Sequence, residues 1–174
     1  MNRNDFEKLM REKGNKIYYF LLKMLRNTED AEDIMQETFL AFYQKVDNVK
    51  TGFYEAYLFR TAYNKALNKI KKRKKGYEVK EENLDQLEIS LIKENNSEKR
   101  NYGFVKNLIE NLPKNQKAAL ILQFYNKKSY KEIAEIMQTS TSAVDALLVR
   151  AKRKLKKMIV ATKNQKKGVN YEML

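Results

Sequence analysis

A dense group of acidic side chains is the first feature of this sequence that could support chemistry. Four carboxylates and an amide lie within one short stretch: Glu29, Glu32, Asp33, Gln36 and Glu37. Paired carboxylates can act as general acid and base or can bind divalent cations. The chain has no histidine and no cysteine, which excludes imidazole and thiolate metal sites and the Ser–His and Cys–His catalytic pairs. Three interpretations remain for the carboxylates: metal or acid–base chemistry, a solvated helix face, or a docking surface for a basic protein partner.

Aromatic and basic residues are interleaved with asparagine between residues 53 and 74. Tyr57 and Arg60 are followed by Asn64, Lys65 and Asn68, and the segment ends in a run of lysine and arginine. This mixture suits single-stranded nucleic acid, because bases stack on aromatic rings while cations hold the phosphates. The alternative, which applies to most of these rings, is that they fill a hydrophobic core.

The carboxyl-terminal third has the layout of a helix-turn-helix. Ser129 and Glu132 form a Ser-x-x-Glu capping box, which is typical of a helix N-terminus. A turn at residues 138–140 leads into a longer basic helix that is predicted to begin near Thr141. In this layout the second helix can enter the major groove of duplex DNA, although two helices and a turn also occur in ordinary bundles. The outer face of the second helix carries Ser142, Asp145, Ala146, Val149, Arg150, Lys152 and Arg153.

The net charge indicates a polyanionic partner, either nucleic acid or an anionic membrane surface. Lys+Arg 36 against Asp+Glu 22 gives a formal net charge of +14. On the second helix, Arg150, Lys152 and Arg153 could hold phosphates. Asp145 would repel phosphates, but it could accept a hydrogen bond from a cytosine amino group. Because no apolar run approaches the length of a membrane span and the N-terminus does not resemble a signal peptide, we expect a cytoplasmic protein without membrane insertion.

The predicted fold class is all-α. The chain contains only one proline and five glycines, and helix-forming residues dominate throughout. Apolar residues recur at three- and four-residue spacing from Thr28 to Val46 and again from Phe53 to about Lys74, which predicts two core-facing helices.

Charge divides the chain into two basic lobes with an acidic connection. We expect two small helical domains joined by a polar acidic linker, since a single bundle would need an unusually long solvated loop. The predicted boundaries are 1–76 for the first domain, 77–100 for the linker, 101–162 for the second domain and 163–174 for a frayed basic tail.

Several motifs occur in one order along nearly the whole chain. They are Asp30–Phe39, Tyr57–Asn64 with the following Lys/Arg run, Leu112–Gln116, and the helix pair Tyr130–Glu135 and Ala143–Lys152. Together they resemble the ECF group of bacterial RNA polymerase sigma factors, within the sigma-70 family. The first two motifs are similar to helices of sigma domain two, and the others are similar to sigma domain four with its helix-turn-helix.

The resemblance implies a transcription initiation factor, not an enzyme, that directs core polymerase to promoters and helps to melt the −10 element. It implies no cofactor and no metal site. Contacts with the clamp helices of the largest polymerase subunit would come from Glu32, Asp33, Gln36 and Glu37. The −10 element would be melted and read by Asn48, Lys50, Tyr57, Arg60, Asn64, Lys65 and Asn68. The −35 element would be read as duplex by Ser142, Asp145, Ala146, Val149 and Arg150, with Lys152 and Arg153 beside them.

The resemblance also implies further partners and roles. The acidic linker would thread through the polymerase towards its active centre, and an anti-sigma protein is a further possible partner. The sequence departs from the family pattern at Tyr57, where tryptophan is usual, and in the helix-turn-helix turn. There, Gln138 replaces glycine and Thr139 replaces an apolar residue. A left-handed conformation at Gln138 would cost about 1 kcal/mol relative to glycine.

Two other functions are alternatives to this expectation. A stand-alone helix-turn-helix regulator would bind duplex DNA as a dimer, but it would leave the acidic helix and the linker without a role. A nuclease would use the carboxylates with Mg²⁺, and its DNA cleavage would be lost in Glu32→Ala or Asp33→Ala.

Overall fold

The computed structural model describes residues 3–73 and 108–168, and these two ranges contain helices and turns but no strand. The all-α prediction is therefore confirmed. The helices are α1 (Arg3–Leu25), α2 (Thr28–Lys45), α3 (Tyr54–Arg73), α4 (Lys114–Leu120), α5 (Tyr130–Met137) and α6 (Thr141–Gly168). A 3-10 turn at Val46–Asn48 follows α2, and a π-helical turn at Ile121–Tyr125 follows α4. We call residues 3–73 the first unit and residues 108–168 the second unit; the predicted linker lies outside the described residues.

The first unit is a three-helix bundle with an aromatic core. The α2 stripe is buried as its spacing predicted: Ala31, Ile34, Thr38, Phe39 and Phe42. The buried hydroxyl of Thr38 donates to the carbonyl of Ile34 at 2.7 Å, so this polar group is satisfied inside the core. The α2 helix begins at an Asn27 cap, whose side-chain oxygen accepts from the Asp30 amide at 2.7 Å.

The basic end of α3 is fixed to the start of α2 by a buried carboxylate. Asp30 forms ion pairs with Lys69 and Arg73, and Arg73 also donates to the carbonyl of Leu25 at 2.7 Å. Burial opposes ionisation of Asp30, but the hydrogen bonds and charges of Lys69 and Arg73 outweigh it and hold the pKa of Asp30 below its ordinary value. Asp30 and Arg73 therefore stabilise the bundle, whereas the neighbouring carboxylates of α2 remain on the surface.

The second unit contains the predicted helix-turn-helix. The Ser129 hydroxyl accepts from the Glu132 amide, and the Glu132 carboxylate accepts from the Ser129 amide at 2.8 Å, so the capping box is confirmed. Gln138 ends α5 in the left-handed region with φ 53° and ψ 52°. The Thr139 amide then donates to the carbonyl of Ala134 at 2.9 Å, which satisfies the end of the helix. The turn therefore keeps its left-handed geometry without glycine.

The last helix is longer than the sequence suggested. Fraying was expected after Thr162, but α6 continues to Gly168. Its remaining neighbours, residues 169–174, lie outside the described residues. The continuation is consistent with local propensity, because lysine, glutamine and alanine are good helix formers.

The two units pack against each other, and this was not predicted. Buried residues of both units form one hydrophobic cluster in which α3 packs against α5, and α1 contacts α4 and the following π-helical turn. The stripe predicted for α3 included Leu58, Ala62 and Ala66 but neither Phe59 nor Tyr63, yet these two rings are 0% and 4% exposed. Two helical domains are present as expected, but in this structure their cores are continuous.

Candidate functional site

The acidic face of α2, defined as Glu32, Asp33, Gln36 and Glu37, is exposed along its length. The Glu37 carboxylate accepts from the Lys65 ammonium of α3 at 2.6 Å. Among the described residues, no group of acidic side chains is arranged to hold a metal ion. The exposed carboxylates leave the face available to a basic partner.

An apolar groove that was not predicted from the sequence lies beside this acidic face. The groove has a volume of about 620 Å³, and Gln36 lines it together with Phe6, Glu7, Met10, Phe39, Leu40 and Tyr43. Leu40 is 57% exposed and Tyr43 is 54% exposed. Both residues fall outside the core stripe of α2, so their apolar character on the outer side of a helix was the available signal.

The predicted −10 set is divided between α3 and the segment that precedes it. Asn48 and Lys50 are exposed in the segment between α2 and α3. This segment turns at Gly52, whose φ of +95° is unfavourable for residues with a Cβ atom. The α3 members of the set are spaced to share one helix face: Tyr57, Arg60, Asn64, Lys65 and Asn68.

Tyr57 has a different environment from the rest of that face. Its ring is half-buried and packs against Phe42 with centroids 5.8 Å apart, while the Arg60 guanidinium lies 6.0 Å from the Tyr57 centroid. Phe53, immediately after Gly52, is 51% exposed and was not assigned a role from the sequence. The −10 set therefore has one supported ring, one nearby exposed ring and several cations and amides, which is the mixture that unpaired bases require.

The predicted −35 set lies on the outer face of α6. Ser142, Asp145, Val149, Arg150, Lys152 and Arg153 are exposed, and Ala146 is half-buried. Arg150 donates from Nε to the carbonyl of Ala146 at 3.0 Å, and the Lys152 ammonium lies 5.7 Å from the Phe124 ring centroid. The spacing of the set gives a single polar and basic stripe along the helix that follows the turn.

Two family matches decide the classification. Residues 9–76 match Sigma-70 region 2, and residues 105–155 match Sigma-70, region 4. The ECF RNA polymerase sigma factor SigM of Bacillus subtilis is 27% identical over 158 residues, covering 91% of this chain and 93% of that protein. The chain belongs to the ECF group of the sigma-70 family. A further relative of this sigma factor is SigW of Bacillus subtilis, which is 24% identical over 164 residues. That match covers 83% of this chain and 83% of SigW.

Solved structures show the same fold. The sigma factor RpoE, in its complex with the anti-sigma factor NepR from Bartonella quintana, superposes with a TM-score of 0.67 at 19% identity. That match covers 89% of this sigma factor and 96% of RpoE. CnrH, in complex with the cytosolic domain of CnrY, gives a TM-score of 0.70 at 19% identity, covering 92% of this chain and 90% of that one.

The family assignment confirms the central functional expectation. The protein is an RNA polymerase sigma factor, and the stand-alone regulator is not favoured. In the described ranges, no helix is both long enough and apolar enough to cross a membrane. The residue sets themselves rest on motif position and on the exposure described above.

Proposed function

We propose that this sigma factor contacts core RNA polymerase through the acidic face of α2 and reads promoter DNA through the −10 set and the −35 set. The observation that carries the proposal is the exposure of chemically different surfaces on different elements. Carboxylates lie on α2, a ring with amides and cations on α3, and a basic stripe on α6. Each surface has the chemistry that its partner requires, and the family motifs lie on the same elements.

The polymerase contact combines charge with apolar area. Glu32, Asp33, Gln36 and Glu37 would face basic residues of the clamp helices, and charge complementarity of this kind steers association and sets orientation. The apolar groove extends the same surface, because Gln36 belongs to both. Apolar side chains at the centre of an interface supply most of its affinity, so Leu40 and Tyr43 are proposed as additional polymerase contacts.

The two DNA-binding sets would contact different forms of DNA, single-stranded at the −10 element and duplex at the −35 element. The −10 set would stack and hold bases of the melted strand, since flipping a base costs a few kcal/mol that a stacking surface and backbone cations must offset. The −35 set would enter the major groove of intact duplex, with Arg150, Lys152 and Arg153 nearest the phosphates. Asp145 would discriminate among bases by accepting a hydrogen bond from cytosine.

The remaining features of the proposed function follow from this assignment. The sigma factor would act without catalytic activity of its own, in the bacterial cytoplasm where core polymerase works. An anti-sigma protein is proposed as a regulatory partner, which agrees with the complexes in which RpoE and CnrH were solved.

The test is run-off transcription with core polymerase on genomic promoter fragments, with and without the sigma factor. We expect promoter-specific transcripts that appear only when it is added, and mapping their starts would give the two element sequences. A matched negative control is the same reaction with the protein heat-unfolded beforehand. A folded sigma factor that fails to stimulate a matched polymerase would contradict the proposal.

A further inference from the structure

A cavity of about 470 Å³ lies where the ends of α1 and α3 meet the segment that leads into α4. Arg26 and Arg73 line it from the first unit, and Lys114 and Lys117 line it from the second. None of the residues predicted to contact polymerase or promoter DNA lines this cavity, so the proposed function gives it no role. We call it the basic cavity.

The charges around the basic cavity are mainly positive. Its four cations face one carboxylate among the described lining residues, that of Glu110, which forms an ion pair with Arg26. A fifth cation is held at the edge, because the Lys154 ammonium donates to the carbonyl of Asn111, another lining residue, at 3.0 Å. The lining therefore carries an excess of positive charge that attracts anions.

Burial strengthens this attraction. The side chain of Arg26 is 19% exposed and that of Arg73 is 16% exposed, while Lys117 is 8% exposed. Little solvent screens charges in such surroundings, so each cation interacts more strongly with a nearby anion than a surface lysine does.

One donor of Arg73 is available to a ligand. Its two terminal nitrogens donate to the carbonyl of Leu25 and to the carboxylate of Asp30. Its Nε is buried and has no hydrogen-bond acceptor in the part of the chain that the structure describes. A buried donor without an acceptor is costly, and a phosphate oxygen in the cavity would satisfy it.

Arg26 occupies a backbone position that favours glycine. It follows the last residue of α1 with a φ of 55°, and its amide donates to the carbonyl of Leu22 at 2.8 Å. Left-handed backbone disfavours any residue with a Cβ atom, so an arginine at this position indicates a role for its side chain. The ion pair with Glu110 holds the guanidinium at the cavity, and the planar donor geometry of arginine suits phosphate.

The rest of the lining is largely apolar. Pro113 is exposed and Ile70 is partly exposed, so both offer apolar surface to a ligand. The buried apolar lining residues are Met24, Leu25 and Leu112. The volume falls within the range of small-molecule sites, roughly 300–1,000 Å³. Cations beside an apolar surface suit a ligand that joins a flat ring to phosphate groups.

We propose that the basic cavity binds a nucleotide, with its phosphate groups held by the four cations and its base against Ile70 and Pro113. A chain of two or more phosphates reaches the arginines of the first unit and the lysines of the second together, whereas a single phosphate reaches fewer of them. The site is concave, so it admits a compact ligand and not the continuous backbone of a nucleic acid.

Calorimetric titration of the full-length natural chain tests the site. The probes are adenosine diphosphate, guanosine diphosphate, inorganic pyrophosphate and the two nucleosides, in about 0.15 M salt to screen attraction to the exposed charges. We expect one saturable site for at least one nucleotide, roughly tenfold tighter than for pyrophosphate, since the base adds apolar contact. The nucleosides should not bind. Absence of saturable nucleotide binding, or equal binding of pyrophosphate, would overturn the proposal.

A pair of lysine variants tests the location. Lys114→Gln and Lys131→Gln remove the same charge from helices of the second unit, but Lys131 is exposed and does not line the cavity. We expect Lys114→Gln to weaken nucleotide binding several-fold and Lys131→Gln to leave it unchanged. Equal weakening in both proteins would overturn the assignment, because binding would then follow the net charge of the protein.

Arg26→Gly tests the guanidinium in a protein that should keep its fold, because glycine suits the left-handed backbone at this position. We expect roughly tenfold weaker nucleotide binding, since a charge-assisted contact with phosphate is lost. Unchanged affinity, with helix content and melting temperature retained, would overturn the role assigned to Arg26. None of the substituted residues belongs to a polymerase-binding or DNA-binding set, so the run-off assay on the natural chain tests the proposed function independently.

Discussion

The outer surface of α2 and the contact between the two units, where α3 packs against α5 and which we call the seam, are built from similar residues but differ in what covers them. Each combines carboxylates with large apolar side chains. At the seam, Glu55 has two cationic partners and Phe59 is completely buried. On α2, Asp33 is exposed and Leu40 is 57% exposed. The partner of the seam is therefore the chain itself, whereas the α2 surface is uncovered in this structure, and we propose another molecule as its partner.

The largest expected effect comes from truncating the apolar part of the seam. Phe59→Ala should lower the free energy of unfolding by about 3–5 kcal/mol, because it removes a fully buried ring and leaves a cavity. Chemical denaturation followed by circular dichroism would measure the change. Leu40→Ala is the matched control on the uncovered surface and should stay within about 0.5 kcal/mol. Similar losses in both proteins would show that the two regions do not differ as described.

A charge reversal on the α2 surface should weaken polymerase binding and leave the stability of the fold nearly unchanged. Asp33→Lys should weaken binding to core polymerase by roughly tenfold or more, about 1.4 kcal/mol, while the melting temperature changes little. Asp33 is preferable to Glu37, because Glu37 also pairs with Lys65 of the −10 set. Glu12→Lys supplies the same charge change on a different face and should bind normally. Binding would be measured by titration of labelled polymerase. Equal affinity of the natural chain, the Asp33→Lys protein and the Glu12→Lys protein would count against the proposed contact.

The features of this fold that could be predicted from the sequence are those formed by residues close together in the chain. The core stripe of α2 follows helical spacing, and the Ser129–Glu132 capping box is complete within four neighbouring residues, so both were predictable. The seam was not, because Glu55 and Lys128 are 73 residues apart and no periodic pattern relates them. The burial of Phe59 and Tyr63 could not be predicted either, because each ring packs against residues that are distant in sequence and near only in the folded chain.

Among the candidate surfaces, the acidic face and the DNA-binding sets were proposed from the sequence, whereas the apolar groove was not. The acidic face and both DNA-binding sets were predicted from motif position, and their roles stay predictions; all of their members are at least partly exposed. The apolar groove was missed, although Leu40 and Tyr43 lie off the core stripe and could have indicated it. Its other wall comes from α1, and the pairing of α1 with α2 is a property of the fold that the sequence pattern does not contain.

Acid should weaken the seam by protonating Glu55. Burial disfavours the charged form of Glu55, but hydrogen bonds from Lys13 and Lys128 outweigh burial and lower the pKa of Glu55 from 4.5. A lowered pKa contributes stability that is present above 4.5 and is lost as the pH falls through the lowered value. The Asn126 side chain donates to the backbone carbonyl of Lys16 across the seam at 3.4 Å, and the chain has no cysteine of its own. Intramolecular cross-linking of a Lys16→Cys/Asn126→Cys protein should therefore decrease in acid. Glu55→Gln should remove most of that pH dependence, and an unchanged pH profile in Glu55→Gln would exclude this carboxylate as its source.

The smallest expected effect concerns Gln138, which lies where the two units meet. Its left-handed backbone costs a residue with a Cβ atom about 1–2 kcal/mol, but glycine gains unfolded-state entropy that offsets roughly 0.5–1 kcal/mol of this. Gln138→Gly should therefore raise the unfolding free energy by about 0.5 kcal/mol, which thermal unfolding would detect. Gln138→Ala keeps the backbone strain and removes the contact with Asn64, so it should be neutral or slightly destabilising. If both substitutions destabilise equally, the amide contact at the seam outweighs the strain in the turn, and the seam is stronger than its exposed edge suggests.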